Sequence, residues 1–294
     1  MAQQVTGVTH ETGPNDMPFV VVETDRCRAR LTPYGAQLCE WTPVGDKTSA
    51  LFLSPRAVFV PGKAIRGGVP VCFPWFANHP TDRTKPAHGF ARTRTWQLGD
   101  IARTDDGDLS VTLHLTSDDE THAFWNADFA ASLTFSLGAS LAMTFECENT
   151  GRTELTYEIA LHAYLAVGDV GQVRIRGLEH TRFIDKVAGG TQKMSGARPL
   201  TLAGDTDRVF LDTTAPCTIE DPLLKRRIVM TKSGSQATVV WNPGREKGLG
   251  VADIGDAWQR FVCVESANCA PHAVRLKPRA RHAMTARIDV EPLP

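Results

Sequence analysis

Leu155-Thr156-Tyr157-Glu158-Ile159-Ala160-Leu161-His162-Ala163-Tyr164-Leu165 alternates apolar residues with polar or small ones along its whole length. That is the period of a β-strand, whose successive side chains point to opposite faces. Leu155, Tyr157, Ile159, Leu161, Ala163 and Leu165 belong to a core face, and Thr156, Glu158, Ala160, His162 and Tyr164 to the other. The same period recurs over 111–115, 132–137, 141–147, 237–241, 261–264 and 284–290, and no run shows an amphipathic helix of three turns. Asp106-Gly107-Asp108, Asn149-Thr150-Gly151 and Ser233-Gly234-Ser235 read as hairpin turns between strands. Residues 117–125, opening on Ser117-Asp118-Asp119-Glu120, predict one short helical turn with an acidic start. The expected class is all-β, a sandwich of antiparallel sheets. No repeat, low-complexity tract or linker divides the chain, so one domain is expected over 1–294, with 1–18 as a flexible N-terminal segment.

Charge excludes some partners. Lys and Arg total 32 against 33 Asp and Glu, a formal net charge of -1, so no global field favours nucleic acid or an anionic membrane. The first twenty residues lack a basic start followed by an apolar run, and no stretch reaches about 18 consecutive apolar residues. A cytoplasmic protein is expected, and a monomer. The seven cysteines are scattered without Cys-x-x-Cys pairs and read as free, buried thiols.

The segment 54–94 departs from the alternation. It carries six prolines and the stretches Arg66-Gly67-Gly68-Val69-Pro70 and His88-Gly89-Phe90-Ala91-Arg92. Its aromatics argue against disorder, so it is expected to form an ordered loop that builds a site. Guanidinium groups give planar, bidentate donors, and glycines allow close backbone approach, so Arg66 and Arg92 suit an anionic or polyhydroxylated small molecule as well as a surface ion pair. His79 and His88 lie in the same loop without a carboxylate or thiol at ligand spacing, and no metal is expected. His162 reads either as a hydrogen-bonded structural histidine or as an acid or base on a strand. Glu265 follows the apolar run Phe261-Val262-Cys263-Val264 and is expected at a strand end, as a turn cap or as a buried base of raised pKa. Asp207, in Gly204-Asp205-Thr206-Asp207, fits an Asx turn.

Arg66 to Phe76, then His88-Gly89-Phe90-Ala91-Arg92 with Trp96, then Leu161-His162-Ala163-Tyr164-Leu165, Asp205 to Phe210, Trp241-Asn242-Pro243 and Val262-Cys263-Val264-Glu265 together resemble the ordered motifs of the glucose-6-phosphate 1-epimerases. These hexose-6-phosphate mutarotases lie within the aldose 1-epimerase superfamily. The resemblance runs from about Pro33 to Arg287. It implies a β-supersandwich of galactose mutarotase type with a concave ligand site. It also implies Glu265 as base on the anomeric hydroxyl, His162 as acid on the ring oxygen, Arg66 and Arg92 on phosphate and sugar oxygens, Asp207 as acceptor of a sugar hydroxyl, and His88 as a further sugar contact. No cofactor is implied. The implied partner is a sugar phosphate, most directly D-glucose 6-phosphate. An aldose 1-epimerase of unphosphorylated sugar and a non-catalytic carbohydrate-binding protein remain as alternatives.

Overall fold

The computed structural model describes residues 5–293. Two eight-stranded antiparallel sheets dominate it. The backing sheet runs, in spatial order, Arg174–Arg176, Cys217–Asp221, Arg226–Ser233, Arg281–Pro292, Leu141–Asn149, Phe129–Leu137, Leu109–Thr116 and Gln97–Arg103. Its strands alternate buried and less buried residues with period two, as in Phe129–Leu137, so one face is committed to the core. The site sheet runs Thr191–Met194, Arg182–Asp185, Thr206–Leu211, Ala237–Asn242, Phe261–Asn268, Ile159–Leu161 and Val71–Cys72, and Tyr164–Ala166 also pairs with Phe261–Asn268. Its Val240, Val262, Val264 and Leu161 join Leu133, Phe145 and Ile288 of the backing sheet in one core. The intervening residues of the same strands form smaller clusters on the opposite, site-bearing face. Every residue of Phe261–Asn268 is buried.

Val8–Thr12, Pro18–Glu23, Cys27–Thr32 and Gln37–Pro43 form a separate four-stranded meander. This corrects the expectation of a flexible segment over 1–18 for the described part of it. Val8 to Thr12 pair residue by residue with Val22 to Pro18, and Val8 packs into the core. Residues 1–4 lie outside the described residues. The short helical turn is present as Asp119–Phe124, with the Asp118 carboxylate capping Thr121 N at 2.7 Å and Thr121 returning a bond to Asp118 N. A second short helix, Gly244–Gly250, carries no apolar stripe and was not legible as one.

Only the first of the three expected hairpins is a hairpin, joining Gln97–Arg103 to Leu109–Thr116. Ser233-Gly234-Ser235 instead crosses from the backing sheet to the site sheet, and Asn149-Thr150-Gly151 leads out to the Leu155–Tyr157 strand, which pairs with Val274–Leu276. The turn residues fix a change of direction, and tertiary pairing decides which sheet receives the next strand. All seven cysteines are free and buried. No helix among the described residues is long and apolar enough to cross a membrane.

Segment 54–94 is ordered by pairing and by aromatic packing. Val71–Cys72 extends the site sheet, and Gly67, Val69 and Gly89 make single bridges to Leu53, Leu38 and Phe73. Phe73 is buried among Phe90, Trp125, Phe129, Phe145 and Tyr157. Gly89 has φ +73°, and a Cβ there would collide with the Phe73 carbonyl. Gly89→Ala is therefore expected to destabilise the fold by about 1–3 kcal/mol or more, read as a lowered urea midpoint at unchanged slope. An unshifted midpoint would contradict this account of the bridge.

Candidate active site

The expected long strand 155–165 is three pieces, Leu155–Tyr157, Ile159–Leu161 and Tyr164–Ala166. The alternation of faces nevertheless persists through the breaks, because Leu155, Tyr157, Ile159, Leu161, Ala163 and Leu165 all enter the main core. At the first break the Glu158 carboxylate accepts from Phe76 N at 2.8 Å and Ala270 N at 2.7 Å, which ties the 54–94 loop to the far end of Phe261–Asn268. At the second, His162 N donates to the Pro70 carbonyl at 3.0 Å.

Register creates the central pair. Leu161 lies opposite Ser266, and Tyr164 lies opposite Cys263. Both pairings belong to one antiparallel register, which sets His162 opposite Glu265 on the same face. His162 Nδ1 is 3.4 Å from Glu265 Oε1. Glu265 is therefore inside a strand that continues to Asn268, which corrects its expected place at a strand end. Asp207 is likewise corrected from a turn to the Thr206–Leu211 strand, where it pairs with Trp241. The β-ladder outcompetes the Asx turn there because both neighbours of the strand are present to receive it.

Arg66, His88, Arg92, His162, Asp207 and Glu265 all line one open cavity of about 290 Å³ on the site sheet. Every residue proposed from sequence thus reaches the same space. Phe76, Trp241, Lys186 and Lys247 also line it; Phe76 and Trp241 fall in the motifs quoted above without an assigned role, and the two lysines belong to none. Lys186 follows Arg182–Asp185 in an exposed turn, and a lysine at a turn carries no local signal. Only pairing reveals it: Lys186 N donates to the Asp207 carbonyl at 2.9 Å, and its Nζ is 3.3 Å from the Asp207 carboxylate and 4.9 Å above the Phe76 ring.

The larger cleft of about 820 Å³ beside Gly244–Gly250 contains neither His162 nor Glu265, and the smaller cavity is the candidate site because it brings together a buried imidazole, a buried carboxylate and cations.

His162 is 7 % and Glu265 1 % exposed. The imidazole stacks on Tyr164, with ring centroids 4.8 Å apart and planes at 10°. Burial, then the charges of Arg92, Arg66 and Lys186, hold His162 well below the ordinary histidine range. Burial, with Asp207 adding to it, pushes Glu265 well above the ordinary carboxylate range, while Lys186 and Arg92 oppose the shift. Both shifts favour the neutral forms of the pair across the 3.4 Å contact. Neither Glu265 oxygen nor His162 Nδ1 has a hydrogen-bond partner among the described residues. Buried polar atoms are otherwise almost always paired, so these are free for a ligand.

His88 is also held well below its ordinary range, by burial first and Arg92 second. Its Nδ1 accepts from Ala77 N at 3.3 Å, which leaves Nε2 as the protonated donor.

The cations are not equivalent. Arg66 is committed to Asp253 at 3.1 Å and to the Tyr164 hydroxyl at 2.9 Å. Lys186 and Lys247 face Asp207 and Asp205 at 3.3 and 3.5 Å. Among the described residues Arg92 has no carboxylate partner: Nη2 donates to the Ala87 carbonyl at 2.8 Å and the buried Nε is unpaired.

An unpaired buried carboxylate is costly to fold around. Because folding raises the Glu265 pKa above its reference of 4.5, the ionised form weakens the wild type as pH rises through the raised value. Glu265→Gln is expected to be more thermostable than wild type, by a margin that widens with pH. A Tm difference independent of pH would contradict the shift.

Residues 18–289 match the aldose 1-epimerase family. The chain is 34 % identical over 279 residues to a Salmonella typhimurium protein provisionally named glucose-6-phosphate 1-epimerase, covering 94 % of this chain and 92 % of that one. It superposes on the crystal structure of a provisionally assigned mutarotase from Salmonella typhimurium with a TM-score of 0.91 at 31 % identity, covering 99 % and 96 % of the two chains. A galactose mutarotase-like protein from Lactobacillus casei shares the fold, with a TM-score of 0.74 at 15 % identity over 93 % of this chain and all of that one. The facing imidazole and carboxylate therefore stand on the site sheet of a galactose mutarotase-like β-sandwich, and the chain belongs to the aldose 1-epimerase family of isomerases.

Proposed function

We propose that the protein interconverts the α and β anomers of a hexose 6-phosphate, with D-glucose 6-phosphate as the leading substrate. The observation that carries this is Arg92, a guanidinium without a carboxylate partner in the same cavity as the acid/base pair. A neutral sugar would leave that charge uncompensated, whereas a phosphate supplies bidentate acceptors. The relative at 34 % identity supports the same substrate class.

In this reading Glu265 takes the proton from the C1 hydroxyl as His162 delivers one to the ring oxygen, and the C1–O5 bond opens to the aldehyde. The two oxygens sit on one carbon, which suits an acid and a base 3.4 Å apart. Rotation about C1–C2 followed by the reverse transfers closes the ring on the other face. Protons only change place, so the chemistry asks for no redox or group-transfer cofactor. Asp207 accepts a sugar hydroxyl, His88 Nε2 donates to a sugar oxygen, and Arg66, rigid on Asp253 and Tyr164, borders the same space. Holding the remote phosphate fixes C1 between the catalytic groups. Seven free thiols suit a reducing cytoplasmic setting.

Magnetisation-transfer NMR at neutral pH tests the proposal on glucose 6-phosphate, glucose and galactose against enzyme-free controls. Acceleration for the phosphate ester beyond the free sugars is expected. Acceleration confined to free sugars would replace the substrate, and binding without acceleration would replace the activity.

A further inference from the structure

The cavity sets an electrostatic problem that its own residues leave unsolved. The acid must be an imidazolium, yet His162 is enclosed by Tyr164 below, by the edges of Trp241 and His88 at 5.8 Å each, and by Glu265 at 3.4 Å. Lining the same cavity are Arg66 and Arg92 from the 54–94 loop, Lys186 from the turn after Asp185, and Lys247 from the short helix Gly244–Gly250. The countercharges are Asp207 and Glu265 within the cavity and Asp253 behind Arg66. Asp253 is spent on Arg66 and Asp205 on Lys247, and Asp207 faces a Lys186 that is 31 % exposed and also reaches the cavity. Arg92 has no carboxylate among the described residues, so Arg66, Arg92, Lys186 and Lys247 outnumber the three aspartates.

We propose that Lys186 is a specificity-determining residue: with Arg92 it makes the acid form of His162 depend on the substrate's own anion, so that a phosphorylated hexose completes the catalytic pair and a free hexose does not. This rests on the hexose 6-phosphate reading given above.

A phosphate dianion seated on Arg92 and Lys186 cancels the field that opposes a proton on His162. Burial first, then Arg92 and Arg66, act on His162 in the direction this requires; His162's own backbone opposes them, and Lys186 adds the smallest contribution in the same direction. Lys186 is suited to the part because its ammonium is a point charge on a flexible stem, 31 % exposed and within reach of both Asp207 and the cavity. Coupling is reciprocal, so protonation of His162 tightens phosphate binding by the same factor. Selection then operates in kcat as well as in KM, which distinguishes it from a phosphate grip that only adds affinity.

The probe is 1,5-anhydro-D-glucitol 6-phosphate, which lacks the anomeric hydroxyl and cannot ring-open, with 1,5-anhydro-D-glucitol as its neutral partner. NMR titration of the His162 ring in the full chain is expected to show its midpoint raised by about 1–3 units with the phosphorylated analogue and unmoved with the neutral one. Equal midpoints with both bound would overturn the proposal and leave the substrate reading intact. Failure of the phosphorylated analogue to bind, with glucose turned over, would overturn the substrate reading and the proposal together. Lys186→Gln is expected to lower the ratio of kcat for glucose 6-phosphate to kcat for glucose about tenfold, one pKa unit being one decade of population, and Lys186→Arg to restore part of it. Equal losses on both sugars would make Lys186 a structural partner of Asp207 and overturn its assignment.

Discussion

Glu265→Gln and His162→Ala will each lower enzyme-catalysed anomer exchange of glucose 6-phosphate by roughly 10²–10⁴-fold, the usual contribution of a positioned acid or base. The two side chains stand 3.4 Å from each other and without hydrogen-bond partners among the described residues, which in the proposed reading lets both act on one carbon of the substrate. Removing either stops the concerted exchange, so the double variant should be little worse than the worse single one. Substrate binding should persist in both, because Arg92, Asp207 and His88 are untouched. The proposed exchange needs one proton between the two groups, and its two arrangements differ only in which group carries it. The rate should therefore be bell-shaped in pH. The acid limb lies below the ordinary histidine range because His162 is depressed, and the alkaline limb lies above the ordinary carboxylate range because Glu265 is raised. Stopped-flow or exchange kinetics across pH check this, and either variant retaining wild-type turnover would remove its residue from the mechanism.

Arg92→Ala will weaken binding of glucose 6-phosphate by about 1.5–3 kcal/mol, roughly 10- to 150-fold, for the loss of one charged hydrogen-bond partner. Its effect on free glucose should be small, since the free sugar offers no anion. The variant should also fold normally: Arg92 leaves behind only the Ala87 carbonyl as a vacated acceptor. Arg66→Ala provides the contrast, because it strands the Asp253 carboxylate and removes the donor to Tyr164. That change should lower stability and weaken both sugars together. Calorimetry on the two ligands separates the cases, and equal losses for Arg92→Ala on both would end its role at the phosphate.

Alternation made the sheets legible. The cross-strand partnership of His162 and Glu265 was not legible, because it depends on a register shared by two short strands on either side of a break. Each residue carried its own signal of type, an imidazole on a strand and a carboxylate after an apolar run, but their distance is a property of pairing. Asp207 shows the opposite error, where Gly204-Asp205-Thr206 reads locally as a turn and the ladder with Trp241 prevails. The N-terminal strand was lost for a similar reason, since Val8–Thr12 has exposed residues after Val8 and exists by virtue of its partner. Lys186, Tyr164 and Asp253 enter the site through contacts to Asp207 and Arg66 that no spacing announces.

The strand bearing Glu265 is buried along its entire length, whereas Arg66, His88 and Arg92 ride on a long loop clamped by Glu158. Amide protons of Phe261–Asn268 should therefore exchange with deuterium only through global unfolding, and those of the loop through smaller openings of lower free energy. Under mild urea the enzyme should lose the proposed preference for phosphorylated sugar before it loses the power to open a ring, passing through a state that is less selective while still active.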